Sequence, residues 1–199
     1  MSKTSKKVIN KSEKVTFQIK QGWLKQAEHL PSPHYSIRAK HDEISLLVIH
    51  NISLPAGQFG NGYISDLFLG KLDISAHESF SDLDGVRVSA HCLIKRDGYI
   101  IQYVSFHDNA WHAGVSSFQK RAQCNDFSIG IELEGTDEEP YTKEQYQHLI
   151  ILTRCLREYF PAIMGNVVGH CDIAPNRKTD PGQSFDWHYF RQQLDNKNK

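Results

Sequence analysis

The sequence predicts an α/β fold, a mixed central β-sheet flanked by helices, and three observations carry that prediction. Residues 44–50, Ile-Ser-Leu-Leu-Val-Ile-His, form a nearly continuous apolar run that ends in a polar residue. A run of this kind suits a central strand buried on both faces. Two β-rich runs, residues 88–94 and 99–104, meet at Arg96-Asp97-Gly98. Asp-Gly between such runs signals a hairpin, because glycine accepts positive φ freely. Thr142 and Gln145 are spaced as a capping box, which opens a helix. That helix carries Tyr146, Leu149, Ile150, Thr153, Leu156 and Phe160 near the helical period, and Pro161 stops it. Strands and helices are mixed and at least one hairpin is present, which predicts a mixed sheet flanked by helices.

The remaining elements follow in order. Residues 1–15 carry Lys3, Lys6, Lys7, Lys11 and Lys14 and read as a basic, frayed, solvated tail. Residues 16–199 are expected to form a single domain. Its first feature lies near Gly22-Trp23-Leu24, before the turn-rich Pro31-Ser32-Pro33-His34-Tyr35. Gly57, Gly60 and Gly62 mark the loop after the first long strand. A further loop, residues 107–114, follows the hairpin. In residues 127–135, Phe127, Ile129, Ile131 and Leu133 alternate with Ser128, Gly130, Glu132 and Glu134. One face of that strand should meet core while the other carries small or acidic groups. Val167-Val168-Gly169-His170 is a short strand or strand end. A loop rich in Pro and Asp reaches Pro181-Gly182, and Trp187, Phe190 and Leu194 mark a last amphipathic helix.

Composition narrows the function. A chain of 199 residues, 39% hydrophobic and 23% charged, has an ordinary soluble make-up and enough length for one real core. Lys+Arg and Asp+Glu both total 23, so no basic excess points to nucleic acid. No apolar run of about 7–15 residues follows the first lysines, and no stretch approaches the roughly 20 needed for a membrane span. The expectation is a cytoplasmic protein with no membrane contact. Cys92, Cys124, Cys155 and Cys171 include no C-x-x-C pair and read as reduced, buried thiols. The eleven histidines exceed what such a chain needs and prompt a search for metal ligands.

His50 and His170 each end an apolar run, and Asp180 lies ten residues beyond His170. Strand ends are rigid and border open surface, so they suit ligands that hold a geometry. Two histidines and a carboxylate, with a fourth position open to water, form the ligand set of a catalytic zinc site. Taken by pattern alone, each histidine reads first as bonded to nearby backbone, and no H-E-x-x-H helix is present. Glu132 differs from Glu134 and Glu138, which read as solvated charges, because Gly130 precedes it on the same face and leaves space beside it. Lys178 reads on its own as a loop cation. His107 and His112 flank Trp111 and are candidate ligands or substrate contacts. No G-x-S-x-G, P-loop or dinucleotide fingerprint occurs.

Five blocks, LLVIHNISLP, RVSAHCLIKRDGYIIQYV, AWHAG, CNDFSIGIELEGTD and GHCDIAPNRKTDPG, resemble the type-2 N-acetylmuramoyl-L-alanine amidases. The match runs in order from about Gly22 to Leu194; residues 36–41 agree only in part. The resemblance implies a mixed sheet with helices on its faces, shared with peptidoglycan-recognition proteins. It implies one Zn2+ on His50, His170 and Asp180, a catalytic acid at Glu132 and a catalytic lysine at Lys178. It also places Asn51, Arg87 and Trp111 around the substrate cleft. Asp at position 180, where many relatives use Cys, favours the branch that acts on anhydro-muropeptides in cytoplasmic peptidoglycan recycling. A small muropeptide is then the partner, and no protein partner is implied. The alternatives are a muropeptide-binding module without catalysis and a lytic amidase on intact wall.

Overall fold

The computed structural model describes residues 16–196, so the basic stretch 1–15 lies outside the described residues. Six strands build the central sheet: β1 (Glu28–His29), β2 (Leu46–Ile52), β3 (Cys92–Ile94), β4 (Ile100–Gln102), β5 (Ser128–Glu134) and β6 (Val167–Gly169). Their order is β6-β2-β5-β3-β4-β1. β6, β2, β5 and β3 run parallel, β3 and β4 antiparallel, and β1 lies parallel to β4. The expected mixed sheet is therefore present. Its two long strands occupy the middle, where burial on both faces favours unbroken apolar runs.

Register places the chemistry. Glu132 pairs with His50 across β5 and β2, Gly130 with Val48, and Gly169 on β6 with Ile49. His50, Glu132 and the residue after Gly169 therefore gather near the carboxyl ends of three parallel strands, the usual site of ligands in such sheets.

The two faces are covered differently. Helix α2 (Lys143–Tyr159) places Leu149, Leu152 and Leu156 against Leu47, Ile49, Ile129, Ile131 and Leu133. The terminal helix Trp187–Asp195 adds Phe190 and Leu194 to the same core. On the other face, α1 (Tyr63–Phe68) packs Ile64, Leu67 and Phe68 on Leu93 and Ile101. The capping box at Thr142 forms in both directions, each bond 3.1 Å. A cap of this type contributes about 1 kcal/mol. The helix stops before Pro161, as its sequence predicts.

The hairpin turns at Asp97-Gly98, where Gly98 has φ of +84° and donates to the Lys95 carbonyl at 2.8 Å. Its first strand begins at Cys92 rather than at Val88. The backbone before it is diverted, since Ser89 donates to the Trp111 carbonyl at 3.2 Å instead of joining the ladder. Glu134 is not solvated but 1% exposed. β5 is a central strand, so the loop after β2 and the hairpin turn close over it. Its carboxylate accepts from the Gly60 and Arg96 backbone N–H groups, at 2.7 and 3.1 Å. All four cysteines are free, Cys92 and Cys124 fully buried and the other two partly so. No helix among the described residues is long and apolar enough to cross a membrane.

Candidate metal centre and substrate groove

His50 projects from β2, and His170 opens the short helix α3 (His170–Ile173) directly after β6. The loop then returns to the same point. Arg177 and Lys178 donate their backbone N–H groups to the Ala174 carbonyl, and Cys171 donates to the Asp180 carbonyl at 3.0 Å. Asp180 is thereby set beside His170. His50 Nδ1 lies 3.0 Å from His170 Nδ1, and Asp180 Oδ2 lies 3.1 Å from each. These three residues form a group able to hold a metal ion.

The protons support a cation there. His170 Nε2 lies 3.1 Å from the Ala113 carbonyl. A carbonyl only accepts, so Nε2 holds the hydrogen and Nδ1 of the neutral ring offers a lone pair. Asp180 is held below the usual carboxylate range: burial alone would raise it, and the adjoining His170 and His50 rings oppose that. His50 is 1% exposed and pushed down to about 4, chiefly by burial. Three electron-rich atoms thus meet at one point. Two imidazole nitrogens and a carboxylate oxygen are the donors that zinc takes in catalytic sites.

Glu132 stands beside this cluster on β5, buried, with Oε2 lacking any hydrogen-bond partner. Burial and the Asp180 charge push its carboxyl well above the ordinary range, and Lys178 opposes them. A buried polar atom left unpaired is costly, so such atoms concentrate where function needs them. Lys178 is exposed and lines an open groove of about 580 Å³ together with Asn51, Asp137, Arg177 and Asp180. Asn51 donates to Asp137 Oδ1 at 2.8 Å. The space expected beside Glu132 at Gly130 is filled, because the His112 ring occupies it. A Cβ at Gly130 would stand 2.4 Å from that ring.

The other candidates separate. His112 backs His50, with His112 Nδ1 2.9 Å from His50 Nε2, on the opposite side of that ring from the metal-facing Nδ1. His107 packs against Tyr159 and Phe160, away from the cluster. Trp111 is half-buried, lies parallel to His34 at 6.1 Å, and donates from Nε1 to Ser36 at 3.3 Å. Arg87 is exposed and, among the described residues, forms no ion pair. Neither Trp111 nor Arg87 lines the groove that holds Lys178.

Three supports carried no reading in the sequence. Arg38, in the stretch where the amidase blocks agree only in part, donates to the carbonyls of Asn125, Asp108 and Ser128 at 3.0, 2.8 and 3.0 Å. Burial pushes its guanidinium down to about 10. His91 accepts from Gly130 N–H at 3.0 Å and donates to the Asp108 carbonyl at 3.1 Å. Asn125 accepts two backbone N–H bonds from the loop that holds His112.

Buried imidazoles make the metal-free fold sensitive to acid. Burial lowers His50 to about 4 and His91 to about 3, and holds His112 well below its ordinary value. An imidazole in the unfolded chain titrates near 6.5. Below that pH the unfolded state binds protons that the fold does not. Stability is therefore full above about 6.5 and is lost as pH falls toward the folded values. Glu132 has the opposite sign, since its raised carboxyl protonates first in the fold, but it is one group against three. In chelator-treated protein the urea midpoint should be clearly lower near pH 4.5 than near pH 7.5. Equal midpoints would contradict neutral burial of these rings.

The site and fold define a class of enzyme. The N-acetylmuramoyl-L-alanine amidase family matches residues 40–183, and the chain belongs to that family. It is an amidase, and the bond it hydrolyses joins N-acetylmuramic acid to L-alanine. The chain is 59% identical over 171 residues to the 1,6-anhydro-N-acetylmuramyl-L-alanine amidase AmpD of Citrobacter freundii, covering 86% of this chain and 91% of that one. Its fold matches a crystal structure of a selenomethionine AmpD derivative with a TM-score of 0.87 at 57% identity, over 88% and 98% of the two chains. It also matches the N-acetylmuramyl-L-alanine amidase AmiD of E. coli in complex with the substrate anhydro-N-acetylmuramic acid-L-Ala-D-gamma-Glu-L-Lys. That TM-score is 0.56 at 29% identity, over 89% and 65% of the chains.

Proposed function

We propose that this amidase acts on soluble 1,6-anhydro-N-acetylmuramyl peptides in cytoplasmic peptidoglycan recycling, with one Zn2+ held by His50, His170 and Asp180. The observation that carries the reading is the convergence of those three donors beside a buried, unpartnered Glu132 carboxyl. The relatives support the anhydro sugar, since AmpD is named for it and the AmiD complex contains it.

An amide resists water because resonance stabilises its carbonyl and the amine leaves poorly. Zinc held by His50, His170 and Asp180 would supply a Lewis acid there and make water a better nucleophile near neutral pH. Glu132 takes the proton of the attacking water at Oε2 and returns it to the leaving alanine nitrogen. A carboxyl suits both halves of that task, because the group that takes the proton must hold it until the nitrogen accepts it. The exposed Lys178 ammonium at the groove stabilises the negative oxygen that forms on the carbonyl. Asn51, steadied by Asp137, meets the substrate near the cluster. Mass spectrometry of products from anhydro-muropeptide and from intact sacculi tests the substrate assignment. Rapid release of the stem peptide is expected from the soluble fragment and little from sacculi. Preferential attack on sacculi would overturn it.

Arg87 and Trp111 form the outer part of this site. Ser89 bonds Trp111 backbone to backbone, and Arg87 lies two residues before Ser89 in the chain. An arginine free of ion pairs can grip a stem-peptide carboxylate with both arms of its fork, and Trp111 offers a flat face for sugar or peptide. Arg87→Ala should raise KM severalfold with zinc content and fold unchanged. The rise should be larger for peptides that keep the second carboxylate of diaminopimelate. An equal rise for both peptides, or none, would remove the carboxylate grip.

A further inference from the structure

The loop at His112-Ala113 meets both metal-binding imidazoles from behind. The proton positions can be derived from one end of a hydrogen-bond chain. Ser128 Oγ lies 2.6 Å from the Cys124 carbonyl, which only accepts, so the Ser128 hydrogen points there. Ser128 Oγ is then the acceptor for His112 Nε2, 3.1 Å away. With its single hydrogen on Nε2, the neutral His112 ring presents a bare Nδ1, and this nitrogen accepts from His50 Nε2 at 2.9 Å. His50 therefore keeps its hydrogen on Nε2 and turns the Nδ1 lone pair toward Asp180. The next residue does the same for the second ring, as His170 Nε2 donates to the Ala113 carbonyl at 3.1 Å. Asn125 Oδ1 binds the N–H groups of both loop residues, at 3.2 and 2.9 Å. Gly130 leaves the room that the His112 ring fills.

We infer that His112 and Asn125 are positioning residues that set the tautomer and aim of the metal-binding imidazoles, His112 through its ring and Asn125 by pinning the loop. The inference rests on the metal reading proposed above. Neither residue belongs to the donor group itself. Outer partners of this kind typically govern about 10–100-fold of metal affinity.

The test is zinc affinity, measured by competition with a chromophoric chelator, with thermal unfolding of the chelated protein as the fold control. His112→Phe keeps a flat ring but has no acceptor and should weaken zinc binding by about 10–100-fold. His112→Asn places an oxygen near the lost Nδ1 and should recover most of that loss. Asn125→Ala should weaken zinc similarly, while Asn125→Asp, which keeps the oxygen, should recover it. Ser128→Ala removes the hydroxyl that orders His112 and serves if a ring variant fails to fold. In the chelated wild type, long-range proton–nitrogen NMR should show His50 with hydrogen on Nε2, and in His112→Phe a mixture of tautomers. Unchanged zinc affinity and an unchanged His50 tautomer in the folded variants would overturn the inference. A wild type that binds no zinc would instead overturn the metal reading itself.

Discussion

His50→Ala is expected to lose the bound metal and the amidase activity together. His50 provides one of three donors that meet within 4.8 Å of one another, and no other side chain in that group can replace it. His112 is the nearest imidazole, yet it lies behind the His50 ring and its Nδ1 faces away from the cluster. Without His50 the two remaining donors are His170 and Asp180, too few for a catalytic zinc site. Zinc in the purified variant should fall far below one per chain by elemental analysis, and turnover should drop to background. The change removes a 1% exposed ring from a packed site, so some loss of stability is expected as well. Unfolding at the assay temperature therefore needs to be checked in parallel. Normal zinc and normal turnover in a folded variant would remove His50 from the metal shell.

Glu132→Gln should separate chemistry from metal binding. Glutamine has nearly the same shape but cannot take up or release the proton, so turnover should fall by roughly 10²-fold or more while zinc stays. The fold offers a second readout. The carboxyl is buried, its Oε2 is unpartnered, and its pKa is raised. In the metal-free protein the ionised form therefore carries a cost at neutral pH that Lys178 opposes, and the neutral amide relieves it. With the metal chelated, the variant should be at least as stable as the parent near pH 7, the signature of a residue retained for activity at the expense of stability. Lys178→Ala should also keep zinc and lose about 10²-fold or more in turnover. Because Lys178 is exposed, its removal should leave stability unchanged. Parallel loss of zinc in either variant would move that residue into the metal shell.

The parts of this protein that the sequence made legible are those with a local or periodic signature. The apolar run before His50, the Asp-Gly hairpin and the Thr142 capping box all depend on neighbours in the chain, and all stand in the fold. His50 and His170 stand at the ends of apolar runs, where residue type points to ligands; the sheet register brings these two together, and the loop bond from Cys171 to the Asp180 carbonyl adds Asp180. Glu134 was misread because alternation on a strand identifies two faces but not whether loops cover the polar one. The open space expected beside Glu132 at Gly130 is filled, because the His112 ring enters it from a loop eighteen residues earlier. Arg38 and Asn125 left no trace, because a side chain bonding distant backbone carbonyls or N–H groups has no period and no spacing rule.

The most direct test of the central claim is mass spectrometry of the products from purified anhydro-muropeptide, run with zinc-loaded, chelated and zinc-restored enzyme. The expected result is 1,6-anhydro-N-acetylmuramic acid and a stem peptide with a free L-alanine amine, lost on chelation and restored by zinc. Cleavage that persists in the chelated enzyme, or a cut at any other bond, would contradict a metal-dependent amidase built on His50, His170 and Asp180.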